Sequence, residues 1–165
     1  MHVRRGRADE WPTLKEFRLR ALADAPDAFG STLDRESADP DAQWQRLARQ
    51  GADGTDFLVA VAAEADVWAG MAWGHLPEDE PGAARLYAMW VDPERRGRGH
   101  GRALVEHVAA WARERGATEL QLRVAAGNTA AAALYGAAGF RETGVREPLR
   151  DGSAILTITM VRPLD

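Results

Sequence analysis

The chain reads as one domain of mixed α/β (α+β) architecture, residues 1–165, with a single sheet and helices on both faces. Three observations carry this. Period-two or continuous apolar runs of strand length recur at Phe57 to Ala62, Val67 to Leu76, Leu86 to Val91 and Glu119 to Val124. Amphipathic helical runs stand between and before them. The order is helices, then a hairpin, then strand–helix–strand–helix, then two closing strands, which is not a uniform βαβ repeat. A length of 165 residues with 45% hydrophobic content suits one core, and no internal repeat, linker or low-complexity segment divides it.

Met1 to Arg7 supplies a short first strand. Asp9 is expected to cap the first helix, with Pro12 in its first turn and Leu14, Phe17, Leu19, Ala21 and Leu22 along it, ending near Asp24. Ala25 to Ser31 is rich in turn formers. Asp39-Pro40 opens a second helix carrying Trp44, Leu47 and Ala48, expected to stop at Gly51. Strand Phe57 to Ala62 turns at Ala65-Asp66 into its hairpin partner, Val67 to Leu76. An acidic loop, Pro77 to Ala84, leads to strand Leu86 to Val91. A helix from about Gly101 to Arg115 places Leu104, Val105, Val108, Trp111 and Ala112 on one face, with Gly116 just past its end. Strand Glu119 to Val124 follows, then a short alanine-rich helix opened by Asn128 and ended by Gly139. Phe140 to Thr143 and Ile155 to Val161 are the closing strands.

Composition narrows the function. There is no cysteine, so disulfides, thiolate metal sites and a cysteine acyl-enzyme are excluded. The four histidines show no ligand spacing, so no metal is expected. No stretch of about 20 apolar residues suggests a membrane span, and Met1 to Arg5 is not followed by the apolar core of a signal peptide. A cytoplasmic location is the expectation. A net charge of −4 argues against nucleic-acid binding. Yet Arg95, Arg96, Arg98 and Arg102 crowd into eight positions, a cationic spot suited to a small anionic ligand.

That spot is Arg96-Gly97-Arg98-Gly99-His100-Gly101, between a strand and a helix. Unpaired amides at a helix N-terminus, with the helix dipole behind them, bind phosphate oxygens. Gly97, Gly99 and Gly101 permit positive φ and let the oxygens approach. The Rossmann spacing fails in both registers, since Arg102 or Leu104 stands where its last glycine is needed. A P-loop fails too, because the only lysine is Lys15.

Leu86 to Pro93 followed by Arg96 to Gly101 resembles motif A of the GCN5-related N-acetyltransferase (GNAT) superfamily. Asn128, Ala131, Leu134-Tyr135 and Gly139-Phe140 resemble the downstream half of that motif. Arg20-Ala21-Leu22 and Pro26-x-Ala28-Phe29 are similar to family openings, more loosely. The resemblance implies a GNAT-like fold, with a mostly antiparallel twisted sheet whose one parallel strand pair splays apart. It implies acetyl-CoA as co-substrate and direct transfer to an amine in a ternary complex. Strand residues Met89, Trp90 and Val91 would hold the pantetheine arm, mainly through the backbone of Met89 and Val91. Arg96 and the amides of Gly97, Arg98, Gly99, His100, Gly101 and Arg102 would hold the pyrophosphate. His100, where an aliphatic residue is usual, is a candidate phosphate donor.

Asn128 suits both a helix cap and a cofactor contact. Tyr135 is the expected general acid: at an ordinary pKa of about 10 it is protonated at neutral pH and can give a proton to a departing thiolate of pKa about 8.5. Many relatives carry a glutamate directly before the leucine that here is Leu86; this chain has Arg85. Glu36, Asp34, Glu80 or a water chain are the remaining candidates for the base. The acceptor is expected to be a small-molecule or peptide amine, with Asp34, Glu36, Asp39, Asp41, Glu78, Asp79 and Glu80 favouring a cationic one. Trp68, Trp73 and Trp90 are candidates to line its pocket. Family dimers commonly form through the closing strands, here Ile155 to Val161. The competing function is a catalytically silent acyl-CoA-binding module.

Overall fold

The computed structural model describes residues 1–165. Seven strands form one sheet: β1 (His2–Arg5), β2 (Phe57–Glu64), β3 (Val67–His75), β4 (Ala83–Val91), β5 (Glu119–Ala125), β6 (Arg141–Pro148) and β7 (Leu156–Pro163), in spatial order β1-β2-β3-β4-β5-β7-β6. Every neighbouring pair is antiparallel except β4–β5. The helices are α1 (Trp11–Asp24), α2 (Leu33–Ser37), α3 (Asp41–Asp53), α4 (His100–Glu114) and α5 (Thr129–Ala137). No helix is long and apolar enough to cross a membrane.

The unbroken apolar run of β2 follows from burial on both faces. Leu58, Ala60 and Ala62 join the core under α4, with Leu104, Val105, Val108, Trp111 and Ala112. Phe57, Val59, Val61 and Ala63 join a second core under α1 and α3, with Leu14, Phe17, Leu22 and Trp44. Period-two geometry sends alternate side chains to opposite helix layers. The β2–β3 hairpin turns at Ala65 and Asp66, both at positive φ (48° and 66°), which matches the right-handed twist of the strands.

The sequence reading is corrected in three places. Asp9 lies in a 3₁₀ turn, Ala8–Glu10, rather than capping α1. Glu10 is drawn there by Arg4 (2.7 and 2.9 Å) and by Trp68 Nε1 (2.8 Å). Gly51 lies inside α3, which runs on to Gly54 at φ 69°. A β-carbon at Gly51 would sit 2.4 Å from Val59 Cγ2, so this glycine serves close packing against β2 and not helix termination. Past the turn-forming segment Ala25 to Ser31, the structure adds the short α2, capped by the Thr32 hydroxyl on Arg35 N. Strand β6 extends to Pro148.

Candidate functional site

Strands β4 and β5 pair only at Ala83–Glu119, Ala84–Leu120 and Arg85–Gln121. Beyond these they part. The cause is local: Tyr87 faces Trp73 and Trp90 faces Met71, so Ala88 and Met89 together oppose Ala72 in a bulge. Ala88 takes φ 52°, a left-handed conformation rare for a residue with a β-carbon, and packing holds it there at 6% exposure. The bulge bends β4 away from β5. Asp92 N bonds Ala69 O on β3. By alternation along the strand, Met89 and Val91 turn their backbone groups to the open side. The gap is the floor of a cleft of about 1710 Å³.

At the end of β4, Asp92 is buried and accepts from Glu94 N (3.0 Å) and Arg20 Nη2 (2.9 Å), which fixes the strand exit. The turn then passes through Gly97 (φ 77°) and Gly99 (φ 86°), and α4 begins at His100. A β-carbon at either glycine would meet nothing within 4 Å. Their requirement is therefore conformational, and one side of the turn is open. No side chain caps α4, so the amides of its first turn are left to solvent or a ligand. Gly101 is different: its β-carbon would lie 3.0 Å from Leu134 Cδ2, where α5 crosses.

The cationic side chains of this turn are turned back onto the protein. Glu64, at the end of β2, receives Arg95 Nη1 (2.7 Å), Arg98 Nη1 (2.8 Å) and His100 Nε2 (2.6 Å). The His100 hydrogen bond, then Arg98 and Arg95, hold the Glu64 carboxyl down at about 2 against an opposing effect of desolvation. Arg96 bonds Val91 O (3.0 Å) and Asp24 (3.3 Å). Arg102 bonds Ala137 O (3.1 Å) and Glu106 (3.4 Å). The His100 ring is 1% exposed and bonded to Glu64, so its side chain does not serve as a phosphate donor; its amide is one of those that no side chain caps at the start of α4. Glu64 was missed in the sequence. It lies 36 positions from His100, and no local pattern marks it.

On the same face, Asn128 and Tyr135 line the cleft. Asn128 caps α5 through Oδ1 on Ala131 N (3.1 Å). Tyr135 is 7% exposed, packs edge-on to Phe140 at 5.8 Å, and burial alone raises its pKa, so the phenol stays protonated. Trp90 points the other way: its indole packs on Phe17 at 4.9 Å and donates to Asp24 at 3.0 Å. Trp68 is tied to Glu10 in the same core and Trp73 lines the cleft.

The cleft continues through the sheet to the α1/α3 face, where Arg18, Phe29, Glu36, Trp44 and Tyr87 also line it. Burial, opposed by Arg18 and aided by Glu36, pushes the Tyr87 phenol up to about 12. Of the carboxylates considered as a base, Glu36 grips Arg18 (2.9 Å twice), Glu80 pairs with Arg85 (2.6 Å), and Asp34 is exposed on α2 outside the cleft. No group of three His, Asp or Glu side chains is placed to hold a metal ion.

Residues 18–140 match the family model described as the Acetyltransferase (GNAT) family. The chain is similar to a mycothiol acetyltransferase of Clavibacter sepedonicus, 36% identical over 138 residues, covering 84% of this chain and 41% of that protein. It is similar to a [ribosomal protein bS18]-alanine N-acetyltransferase of Escherichia coli K12, 43% identical over 72 residues, covering 42% of this chain and 49% of that one. The chain thus spans about half or less of the length of these two relatives. Among solved structures, a GCN5-related N-acetyltransferase from Kribbella flavida superposes with a TM-score of 0.79 at 27% identity, over 99% of this chain and 97% of that chain. The fold is shared with yncA of Salmonella typhimurium, determined with acetyl-CoA, at a TM-score of 0.82 and 19% identity, over 100% of this chain and 94% of that one.

Proposed function

Since the chain belongs to the GNAT family of acetyltransferases, we propose that it transfers an acetyl group from acetyl-CoA directly to an amine, both substrates being held at once. The observation that carries this reading is the uncapped start of α4 opening onto the β4–β5 gap, with Tyr135 lining the same cleft. The residues fit the donor. The free amides from Gly97 to Arg102 would bind the pyrophosphate. The outward carbonyl of Met89 and amide of Val91 would pair with the pantetheine arm as an added strand, Val91 O being held by Arg96. Asn128 and Leu134 would border that arm from α5. Trp90 leaves the proposed donor site except as part of the strand.

Bound acetyl-CoA supplies an activated thioester carbonyl and a thiolate leaving group. The chain supplies the rest. The amide of Met89 would donate to the carbonyl oxygen as negative charge builds there. Tyr135, kept protonated by burial, would give its phenolic proton to the sulfur as the amine displaces it. The proton lost by the amine would leave through water, because Glu36 and Glu80 are already ion-paired. A small-molecule or peptide amine is the acceptor class proposed.

The test is thiol release from acetyl-CoA with a panel of amines, for the wild type and Tyr135→Phe. A fall of about 10²–10⁴-fold in the variant is expected. Equal rates would remove Tyr135 as the acid. Tight CoA binding with no amine turned over would favour the silent acyl-CoA module.

A further inference from the structure

Five buried polar side-chain atoms have no hydrogen-bond partner in the chain: Arg4 Nε, Arg18 Nη1, Trp44 Nε1, Trp73 Nε1 and His100 Nδ1. Three of them, on Arg18, Trp44 and Trp73, belong to residues that line the cleft on its α1/α3 side. Buried polar groups are nearly always paired, so a cluster of unpaired ones points to a missing partner. All three are N–H donors. None of these groups is an acceptor.

Of the three, Arg18 and Trp73 adjoin one another. Arg18 is 5% exposed. Its guanidinium carbon lies 4.9 Å from the Phe29 ring and 4.9 Å from the Trp73 ring. Nε and Nη2 are both taken by Glu36 at 2.9 Å, which leaves Nη1 on the opposite edge of the fork. Tyr87 stands edge-on to Trp73 at 5.6 Å and widens the aromatic wall. The Arg18 charge is already neutralised by Glu36. A carboxylate bound here would add an unbalanced charge to a desolvated site beside Glu36. An ammonium would leave the donors without an acceptor, and a hydroxyl would accept from them but bring a further donor of its own. An uncharged carbonyl oxygen satisfies them.

We propose that this end of the cleft is an acceptor subsite that reads a neutral amide carbonyl, which accepts from Arg18 Nη1 and Trp73 Nε1 while apolar parts of the substrate lie against Tyr87 and Phe29. The inference rests on the acetyl-transfer reading and specifies its acceptor: an amine whose neighbouring substituent is a carboxamide or peptide group. Of the loop acids expected to attract a cationic acceptor, Glu36 and Glu80 are ion-paired with Arg18 and Arg85.

The test uses the full chain with saturating acetyl-CoA and three amines that share one side chain: leucinamide, leucine and isopentylamine, which lacks the carbonyl. Thiol release is compared per free amine. Leucinamide is expected to exceed both others at least tenfold in kcat/KM. Trp73→Phe, which deletes the N–H and keeps an aromatic ring, should bring the leucinamide-to-isopentylamine ratio severalfold closer to one. Trp44→Phe, which deletes an N–H that the proposed carbonyl does not use, should leave that ratio unchanged. Equal use of isopentylamine or leucine by the wild type overturns the subsite and leaves acetyl transfer standing. So does a ratio untouched in Trp73→Phe. No thiol release with any of the three, at normal acetyl-CoA binding, overturns the transfer reading and the subsite with it.

Discussion

Gly99 and Gly116 bracket α4 and make a matched pair. Gly99 has φ 86° and Gly116 φ 84°, and a β-carbon at either would meet nothing within 4 Å. Replacing either by alanine therefore imposes the same strain without a clash. A left-handed alanine costs about 1–2 kcal/mol. The narrower unfolded ensemble of alanine offsets roughly 0.4–1 kcal/mol of that. The net loss is about 1 kcal/mol in each variant, a fall of about 2–4 °C in Tm for a domain of this size. Ligand binding should separate them. The added methyl group at Gly99 stands on the open side of the turn, beside the free amides of α4, whereas Gly116 lies at the far end of the helix. Acetyl-CoA affinity, measured by titration calorimetry, should fall at least tenfold in Gly99→Ala, about 1.4 kcal/mol. It should stay within about twofold of wild type in Gly116→Ala. If both variants lose affinity alike, or Gly99→Ala binds normally, the turn is not the pyrophosphate cradle.

Three further outcomes follow from contacts described above. Glu64 is held at about 2, below the ordinary 4.5. Its depressed pKa means that its stabilisation is complete above the unfolded value and disappears as pH falls from about 4.5 towards 2. Tm of the wild type should therefore fall more steeply across that window than Tm of Glu64→Gln. The same variant should raise the acetyl-CoA KM severalfold at neutral pH, by freeing Arg95, Arg98 and the first turn of α4. In Gly51→Ala, the new β-carbon would meet Val59 Cγ2 at 2.4 Å and Val59 N at 3.1 Å. Overpacking of about 1–3 kcal/mol should outweigh the helix-propensity gain of about 1 kcal/mol, so urea unfolding shifts to lower denaturant.

What was legible in the sequence was what local chemistry writes. The glycines between β4 and α4 require positive φ whatever surrounds them. Ala65-Asp66 marks a hairpin through the strands beside it, and Asn128 caps α5 by residue type and place. What was hidden depends on partners distant in sequence. Gly51 looks like a helix stop unless Val59 is known to lie against it. Glu10 is pulled into a 3₁₀ turn by Arg4 and Trp68, so Asp9 never becomes the cap. Strand β6 is exposed at every position and so carries no alternation from which to read its length. Ala88 gives no sign of its left-handed backbone. In sequence alone the arginines of the turn offer free charge for phosphate, but in the fold Glu64, Asp24 and Glu106 claim much of it, leaving the backbone as the open surface.

The three-residue junction between β4 and β5 has a mechanical meaning. The sheet is two slabs, β1 to β4 and β5 to β7, fastened at one end like a partly closed zip. The core packed beneath α4 bridges them, since it contains residues of β2, β3, β4, β5 and β7. A pantetheine arm lying between Met89, Val91 and the facing strand would close the unfastened length. On this reading the donor would complete the sheet as well as react in it, so occupancy and rigidity would rise together.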